Sequence, residues 1–327
     1  MKFLIIGLGS MGKRRVRNLQ AIGDHEILGV DLSKEKRNEC EEKYKIKTFE
    51  QVRDVELNNY DAIIISTPPD HHNEWLEFAI DNKKPVFVEA SVILNGLNEI
   101  DLKAKEKNIL VAPSCTLRFF TPIKMLKNIV ESDKYGRFIN FSYHLGQYLP
   151  DWHPWEKVGD SYTGKKETSG AREMVAFELT WLTDIVGMPE SFKGFYGKTM
   201  DFGVEIDDTY AISFKFRNAF GNMLIDTTAR FGTRTLILNL EKAQILWRWD
   251  IKNIRIYEAD SKSWQEITFE TGKAEKGYNE NITEDMYIDE MKSFISAIKG
   301  EKDFPNTLME DIKILEILNN FEKQNNN

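Results

Sequence analysis

Three glycines spaced Gly7-x-Gly9-x-x-Gly12, with Asp31 nineteen positions after the last of them, carry the plainest chemistry in this chain. An apolar run, Phe3 to Ile6, leads into the glycines, and Val16, Leu19 and Ile22 follow at near-helical spacing. A strand that bends sharply into a helix presents backbone N–H groups and the positive end of a helix dipole to an anion. The first glycine permits the bend, the second lets a pyrophosphate approach the backbone, and the third lets the helix lie close on the strand. Ser10 and Met11 fill the first turn of that helix. Asp31 closes a second apolar run, Ile27 to Val30, the place for a carboxylate that receives ribose hydroxyls. The pattern predicts a dinucleotide-binding unit; the other reading is a β–α turn that uses glycine only for packing. The charge of Asp31 repels a 2′-phosphate, which favours NAD(H) over NADP(H). The cluster Lys13-Arg14-Arg15-x-Arg17 reads either as a solvated face or as help with a cofactor phosphate, and it keeps NADP(H) open.

Other residues gather at predicted strand ends. Thr67-Pro68-Pro69 follows the apolar run Ala62 to Ser66, so it lies at the carboxyl edge of a sheet, where open α/β folds bind ligands. His71 and His72 come next. Adjacent side chains rarely converge on one ion, so helix capping or cofactor contact is favoured over metal binding. Glu89 ends the strand Val86 to Val88 and reads as a pocket carboxylate or a structural one. The aromatic stretch Tyr148 to Trp155 is broken by two prolines and reads as a loop. Its Trp152, His153 and Trp155 suit the apolar faces of a sugar ring, or pack a junction between domains. From Gly170 to Gly187 a helical pattern places Glu173, Phe177, Thr180 and Asp184 on one stripe, with Glu178 about 100° away. Either glutamate, if burial raises its pKa, suits general-base work; a solvated or salt-bridged helix is the alternative.

The elements that must position these groups divide in two. With 327 residues the chain is about twice a ~150-residue domain. Residues 1–118 alternate strand and helix patterns, as a parallel α/β sheet requires; residues 119–327 turn to alternating runs such as Tyr210, Ile212, Phe214 and Phe216, the grammar of an antiparallel sheet. Thr48-x-x-Gln51 predicts a helix start at Val52 to Leu57, and Thr307-x-x-Glu310 predicts the cap of the last helix. Tyr287, Met291, Phe294, Ile295 and Ile298 form one apolar helical face. A net charge of −8, from 44 basic and 52 acidic residues, argues against a nucleic-acid partner. No run of ~18 apolar residues suggests a membrane span, the N-terminal apolar run is too short for a signal peptide, and two cysteines, Cys40 and Cys115, make no disulfide framework. These features point to a cytoplasmic location.

The chain resembles the Gfo/Idh/MocA family of NAD(P)-dependent, mostly sugar-acting oxidoreductases. The resemblance rests on GLGSMGKRRVRNL, on Thr67-Pro68-x-x-x-His72, on Glu89, on Leu117-Arg118-Phe119, on the Gly170 to Gly187 helix and on the late Met286-Tyr287…Phe294 helix. Residues Gly146 to Trp155 look most like members associated with bacterial surface sugars. The resemblance implies a Rossmann domain, then an α/β domain with an open, mostly antiparallel sheet whose outer face joins dimers or tetramers. It also implies hydride transfer between a sugar or nucleotide-sugar carbon and a nicotinamide. It carries Thr67, Pro68, His72, Glu89 and Arg118 over as cofactor-binding residues. Two departures stand out. The family's Glu-Lys-Pro motif aligns with Glu89-Ala90-Ser91, so the lysine usually taken as catalytic is Ala90. The helix that carries a histidine and an aspartate in the family has Phe177 and Thr180, while an upstream acid persists as Glu173. One reading is an active enzyme with a rewired proton-transfer set, drawn from Glu173, Glu178, Tyr143, His144, His153, Lys165 and Lys166. The other is a catalytically weak cofactor- or sugar-binding partner or regulatory protein.

Overall fold

The computed structural model describes residues 1–152, 157–276 and 280–325. They form two compact units: Met1–Thr116 with Glu284–Lys313, and Leu117–Thr283 with Ile314–Asn327.

In the first unit, β1 (Lys2–Ile6), β2 (Glu26–Val30), β3 (Lys47–Phe49), β4 (Ala62–Ile65), β5 (Val86–Val88) and β6 (Val111–Pro113) form one parallel sheet in the order β3-β2-β1-β4-β5-β6. Parallel neighbours need long crossovers. These are supplied by α1 (Ser10–Ile22), α2 (Lys34–Tyr44), α3 (His72–Asp81) and α4 (Leu97–Glu106). Helices on both faces explain why Phe3 to Ile5 and Ala62 to Ile65 are unbroken apolar runs with no exposure. The strand order reverses between β1 and β4, so their carboxyl ends flank the crevice where such sheets bind ligands. The helix predicted from Val52 to Leu57 is instead two short 3₁₀ turns, Val52–Asp54 and Leu57–Asn59. Thr48 lies inside β3 and its hydroxyl donates to Glu41, so it caps nothing.

The second unit contains α5 (Thr121–Glu131), β7 (Phe138–Tyr148), α6 (Gly170–Val186), β8 (Ser191–Gly197), β9 (Thr209–Phe216), β10 (Ala219–Asp226), β11 (Thr228–Leu240), β12 (Ala243–Arg248), β13 (Asn253–Glu258) and β14 (Ser263–Thr268). The strands form an open eight-stranded sheet, β14-β13-β12-β11-β7-β10-β9-β8, antiparallel except for β7 with β10. Its inner face is the predicted alternation: Tyr210, Ile212, Phe214 and Phe216 are buried, as are Trp181 of α6 and Trp247 of β12, whose rings meet edge to face. The opposite face is the one expected to join copies of the chain. It is mixed, with Phe195, Phe220, Leu224 and Ile237 exposed among Asn140, Ser142, Ser213 and Asn222. The alternation of these strands puts short polar residues between the apolar ones.

The chain ends with α7 (Glu284–Ile298) and α8 (Leu308–Asn325). The predicted cap of α8 is present: Glu310 N–H donates to the Thr307 hydroxyl at 3.2 Å, and Thr307 N–H donates to the Glu310 carboxylate at 2.8 Å. Sequence grammar assigned α7 to the second domain, but it lies in the first unit, with Phe294 on Phe87 of β5 at 5.7 Å between ring centres. The apolar face of α7 is buried there, with Met291 and Phe294 fully covered.

Candidate functional site

The glycine turn is built at the strand reversal. Gly7 has φ +93°, a conformation β-carbons disfavour, and a Cβ there would lie 2.6 Å from the Ser66 carbonyl oxygen at the end of β4. A Cβ on Gly12 would lie 1.9 Å from the Gly7 carbonyl oxygen, so α1 closes directly onto the turn. Gly9 differs: a Cβ there meets nothing within 4 Å, so its backbone borders open space. Gly9 is also the N-cap of α1, with no side chain capping it and no acid in the first turn. Ser10, Met11 and Gly12 therefore begin a helix whose N-terminal dipole is not offset by a local carboxylate, which fits a pyrophosphate.

Asp31 follows β2, with one carboxylate oxygen accepting from Leu8 N–H and the other from Ser33 N–H, both at 2.8 Å. The carboxylate is braced against the glycine turn, and each oxygen keeps a lone pair for a ribose hydroxyl. Arg37 donates to the Asp31 carbonyl at 2.7 Å and pairs with Glu50 at 3.1 Å.

Thr67, Pro68 and His72 sit at the end of β4 and the start of α3. His72 is buried, and its Nε2–H donates to the Thr67 carbonyl at 2.9 Å. Burial pushes its pKa down to about 4, so the ring is neutral near pH 7. Its Nδ1 and the Thr67 Oγ1 are buried with no hydrogen-bond partner among the described residues, polar atoms that a ligand group or water would satisfy. His71 is exposed and turned to Glu74 at 2.8 Å, away from its neighbour. No group of three metal-ligating side chains occurs among the described residues.

Glu89 and the basic cluster find each other inside the unit. The Arg15 guanidinium, with no exposure, makes paired bonds to Glu89 at 2.6 and 2.8 Å and reaches Glu290 of α7 at 2.9 Å. Glu290 also accepts from Ser114 Oγ, Cys115 N–H and Thr116 Oγ1 at 2.7 to 3.0 Å. Burial pushes the Glu290 carboxyl up, against the pull of Arg15. Arg14 is buried against Glu284 at 3.0 Å. Arg14 and Arg15 are thus neither a solvated face nor placed for a cofactor phosphate, because α7 covers them with carboxylates. Glu89 holds a guanidinium rather than lining an open pocket.

In the second unit, the two candidate bases on α6 separate clearly. Glu178 has no exposure, and its oxygens accept from Tyr143 Oη at 2.5 Å, Trp181 Nε1 at 2.6 Å and Arg234 Nη2 at 2.6 Å. Arg234 Nε closes the ring on Tyr143 Oη at 3.1 Å. Burial, then the Glu178 charge, holds the Tyr143 hydroxyl well above its usual pKa. Glu178 and Tyr143 are therefore parts of a closed buried network, with no face left for a substrate proton. Glu173 is only half-buried and accepts from the Tyr162 hydroxyl at 3.1 Å. Thr180 donates to the Ala176 carbonyl within its own helix, at 3.1 Å.

Arg118 donates through Nε and Nη2 to the Thr180 carbonyl at 3.1 and 2.9 Å, so those donors serve α6 rather than a cofactor. The Trp152 ring lies against the start of α6, where a Cβ on Gly170 would come within 3.2 Å of it. His144 pairs with Asp226 at 2.8 Å, and Lys165 and Lys166 are exposed. His153 and Trp155 lie outside the described residues. Sequence reading passed over Arg234 and Glu290. Each had a signal: Arg234 shares the parity of buried Leu236, Leu238 and Leu240, and Glu290 sits on the apolar face with Tyr287, Met291 and Phe294.

Comparison with known proteins agrees with this geometry. Residues 1–113 match the Gfo/Idh/MocA oxidoreductase family, described by its NAD-binding Rossmann fold. Over 143 residues the chain is 27% identical to a myo-inositol 2-dehydrogenase of Thermotoga maritima, a match that spans 42% of each chain. An oxidoreductase from Agrobacterium radiobacter, solved with NAD+, L-tartaric acid and magnesium, superposes with a TM-score of 0.86 at 12% identity, over 100% of this chain and 96% of that one. A levoglucosan dehydrogenase solved with NADH and levoglucosan superposes at 0.83 and 15% identity, over 99% and 96%. At these identities the structures speak for the fold alone. The glycine turn and the strand order agree with that match: residues 1–113 are similar to the NAD-binding Rossmann domain of the Gfo/Idh/MocA oxidoreductase family.

Proposed function

We propose that the protein is an NAD(H)-dependent oxidoreductase acting on a sugar or nucleotide sugar. The observation that carries the reading is the open space over Gly9 at an uncapped helix N-terminus, with Asp31 braced beside it. Gly7, Gly9, Ser10, Met11 and Gly12 would hold the pyrophosphate, and Asp31 the adenosine ribose. Thr67, Pro68 and His72 border the other half of the crevice. Because Arg14 and Arg15 are committed to carboxylates and Arg37 is paired with Glu50, none of them offsets the charge of Asp31. NADH is expected to bind at least about tenfold more tightly than NADPH. Fluorescence titration with both cofactors measures this, and tighter NADPH binding overturns the preference.

The nicotinamide, when bound, supplies or accepts a hydride. Oxidation of an alcohol also releases a hydroxyl proton, and Ala90 and Phe177 cannot take it. Of the three acids of α6, Glu178 is closed in its network and Asp184 is paired with Lys127 at 2.9 Å, and we assign the proton to Glu173. Trp152, His153 and Trp155 supply ring faces for a sugar. The names of two relatives, a myo-inositol dehydrogenase and a levoglucosan dehydrogenase, support a substrate of that kind. The test is oxidation of NADH by a panel of keto-sugars and nucleotide keto-sugars. Ala90 and Phe177 also favour a second reading, a non-catalytic binding partner; NADH binding with no turnover across the panel would select it.

The assembly we assign is a homodimer or homotetramer joined through the outer face of the large sheet. Phe195 and Leu224 flank Ala211 on adjacent strands there, with Ile237 nearby on β11, a patch that a second copy would cover. Light scattering at micromolar concentration should give a multiple of 38.0 kDa, and a monomer alone counts against it.

A further inference from the structure

The N-terminus of α1 borders the space over Gly9, and α7 holds that helix in the first unit. Glu284, Tyr287 and Glu290 recur every three residues on α7 and meet α1 one after another. Glu284 takes Arg14 Nε at 3.0 Å, Asn18 Nδ2 at 3.1 Å and Arg17 Nη2 at 3.7 Å. The Tyr287 ring lies under the Arg14 guanidinium at 4.2 Å and near that of Arg15 at 5.4 Å. Glu290 takes Arg15. Three guanidinium groups of α1, those of Arg14, Arg15 and Arg17, thus face three carboxylates, Glu89, Glu284 and Glu290.

Arg15 is the centre of this arrangement. Its planar fork makes paired bonds to Glu89, and its Nη1 lies 2.9 Å from Glu290, an ion pair without the alignment of a hydrogen bond. Glu89 fixes the end of β5 and receives the Ser66 hydroxyl from the end of β4 at 3.4 Å. Glu290 fixes Ser114 to Thr116 at the end of β6. One guanidinium therefore sets α1 against three strand ends that border the crevice. A rigid local packing would need none of these charges, and an ion cluster this buried is costly unless it is complete.

We propose that Arg15 and Glu290 are positioning residues of the dinucleotide site, and that α7 belongs to that site because it holds the phosphate-binding helix in place. The inference rests on the reading of the glycine turn as the dinucleotide site. The physical reason is tolerance. Backbone N–H groups that bind phosphate must be held within about 0.5 Å, and a small misplacement by a remote residue weakens every bond they make. Affinity for the cofactor then depends on a helix about 270 residues farther along the chain.

The test is the dissociation constant of NADH, read by fluorescence, alongside a thermal melt of each protein. Glu290→Gln keeps shape and removes one charge; Arg15→Lys keeps charge and loses the fork. Each is expected to raise the NADH dissociation constant roughly tenfold, at a temperature where circular dichroism shows it folded. Glu284→Gln, at the more open end of the network, is expected to raise it about threefold and serves if the buried variants do not fold. Lower melting temperatures with unchanged NADH affinity mean that the network is merely structural, and overturn the proposal. Wild-type protein that binds no dinucleotide overturns the reading of the turn and this inference with it.

Discussion

Glu173→Gln is expected to lower turnover by roughly 10²- to 10⁴-fold, with NADH affinity kept within about twofold. The amide matches the carboxylate in shape but cannot accept a proton, so the loss falls on the proton-transfer step. The groups proposed to hold NADH belong to the first unit, and Glu173 to the second. The carboxylate is half-buried and accepts from the Tyr162 hydroxyl at 3.1 Å, which orients it. Glu178, five residues on, makes the contrast: Arg234, Tyr143 and Trp181 occupy it from all sides, so a change there acts on stability first. Steady-state kinetics on any sugar the protein turns over, with NADH titration in parallel, measures both quantities. Full turnover in Glu173→Gln sinks the assignment, and Ala90→Lys, which restores the family's residue, then becomes the variant to examine for a gain.

The dinucleotide turn was legible because each of its residues obeys a local rule. Gly7, Gly9 and Gly12 answer to a bend, an open approach and a helix contact within twelve residues, and Asp31 needs only the next strand. The antiparallel sheet was legible for the same reason, since alternation such as Tyr210 to Phe216 reports one buried face. What the sequence concealed depends on pairs far apart. Arg14 and Arg15 look like surface charge until α7, some 270 residues later, lays Glu284 and Glu290 on them. Glu89 and Glu178 look like site carboxylates until Arg15 and Arg234 are found against them. Arg118 follows a motif at the domain crossing, yet its donors go to a helix carbonyl. A charged residue at a buried parity is the one local sign of such a pair, and its partner has no sequence address. The Val52 to Leu57 helix failed differently: Thr48 fits a capping box, but the strand β3 had a stronger claim on it.

Removing Arg234 is expected to be the most destabilising single change in the second unit. In Arg234→Met the Glu178 carboxylate, with no exposure, keeps Tyr143 and Trp181 but loses its one charged partner among the described residues. An uncompensated buried charge of this kind costs about 3–5 kcal/mol. For a unit of this size that corresponds to a fall in melting temperature of roughly 6–20 °C. The double variant Glu178→Leu/Arg234→Met removes both charges and leaves apolar side chains of similar bulk beside Trp181 and Trp249. It should melt above either single variant, since an apolar replacement of a whole buried pair is often near neutral. The coupling between the two substitutions then separates the pair from its parts. Trp181 reports directly, because its indole N–H donates to Glu178 and its emission changes when that bond is lost. An Arg234→Met protein that melts within about 2 °C of wild type would mean that the charge is not isolated and overturn this expectation.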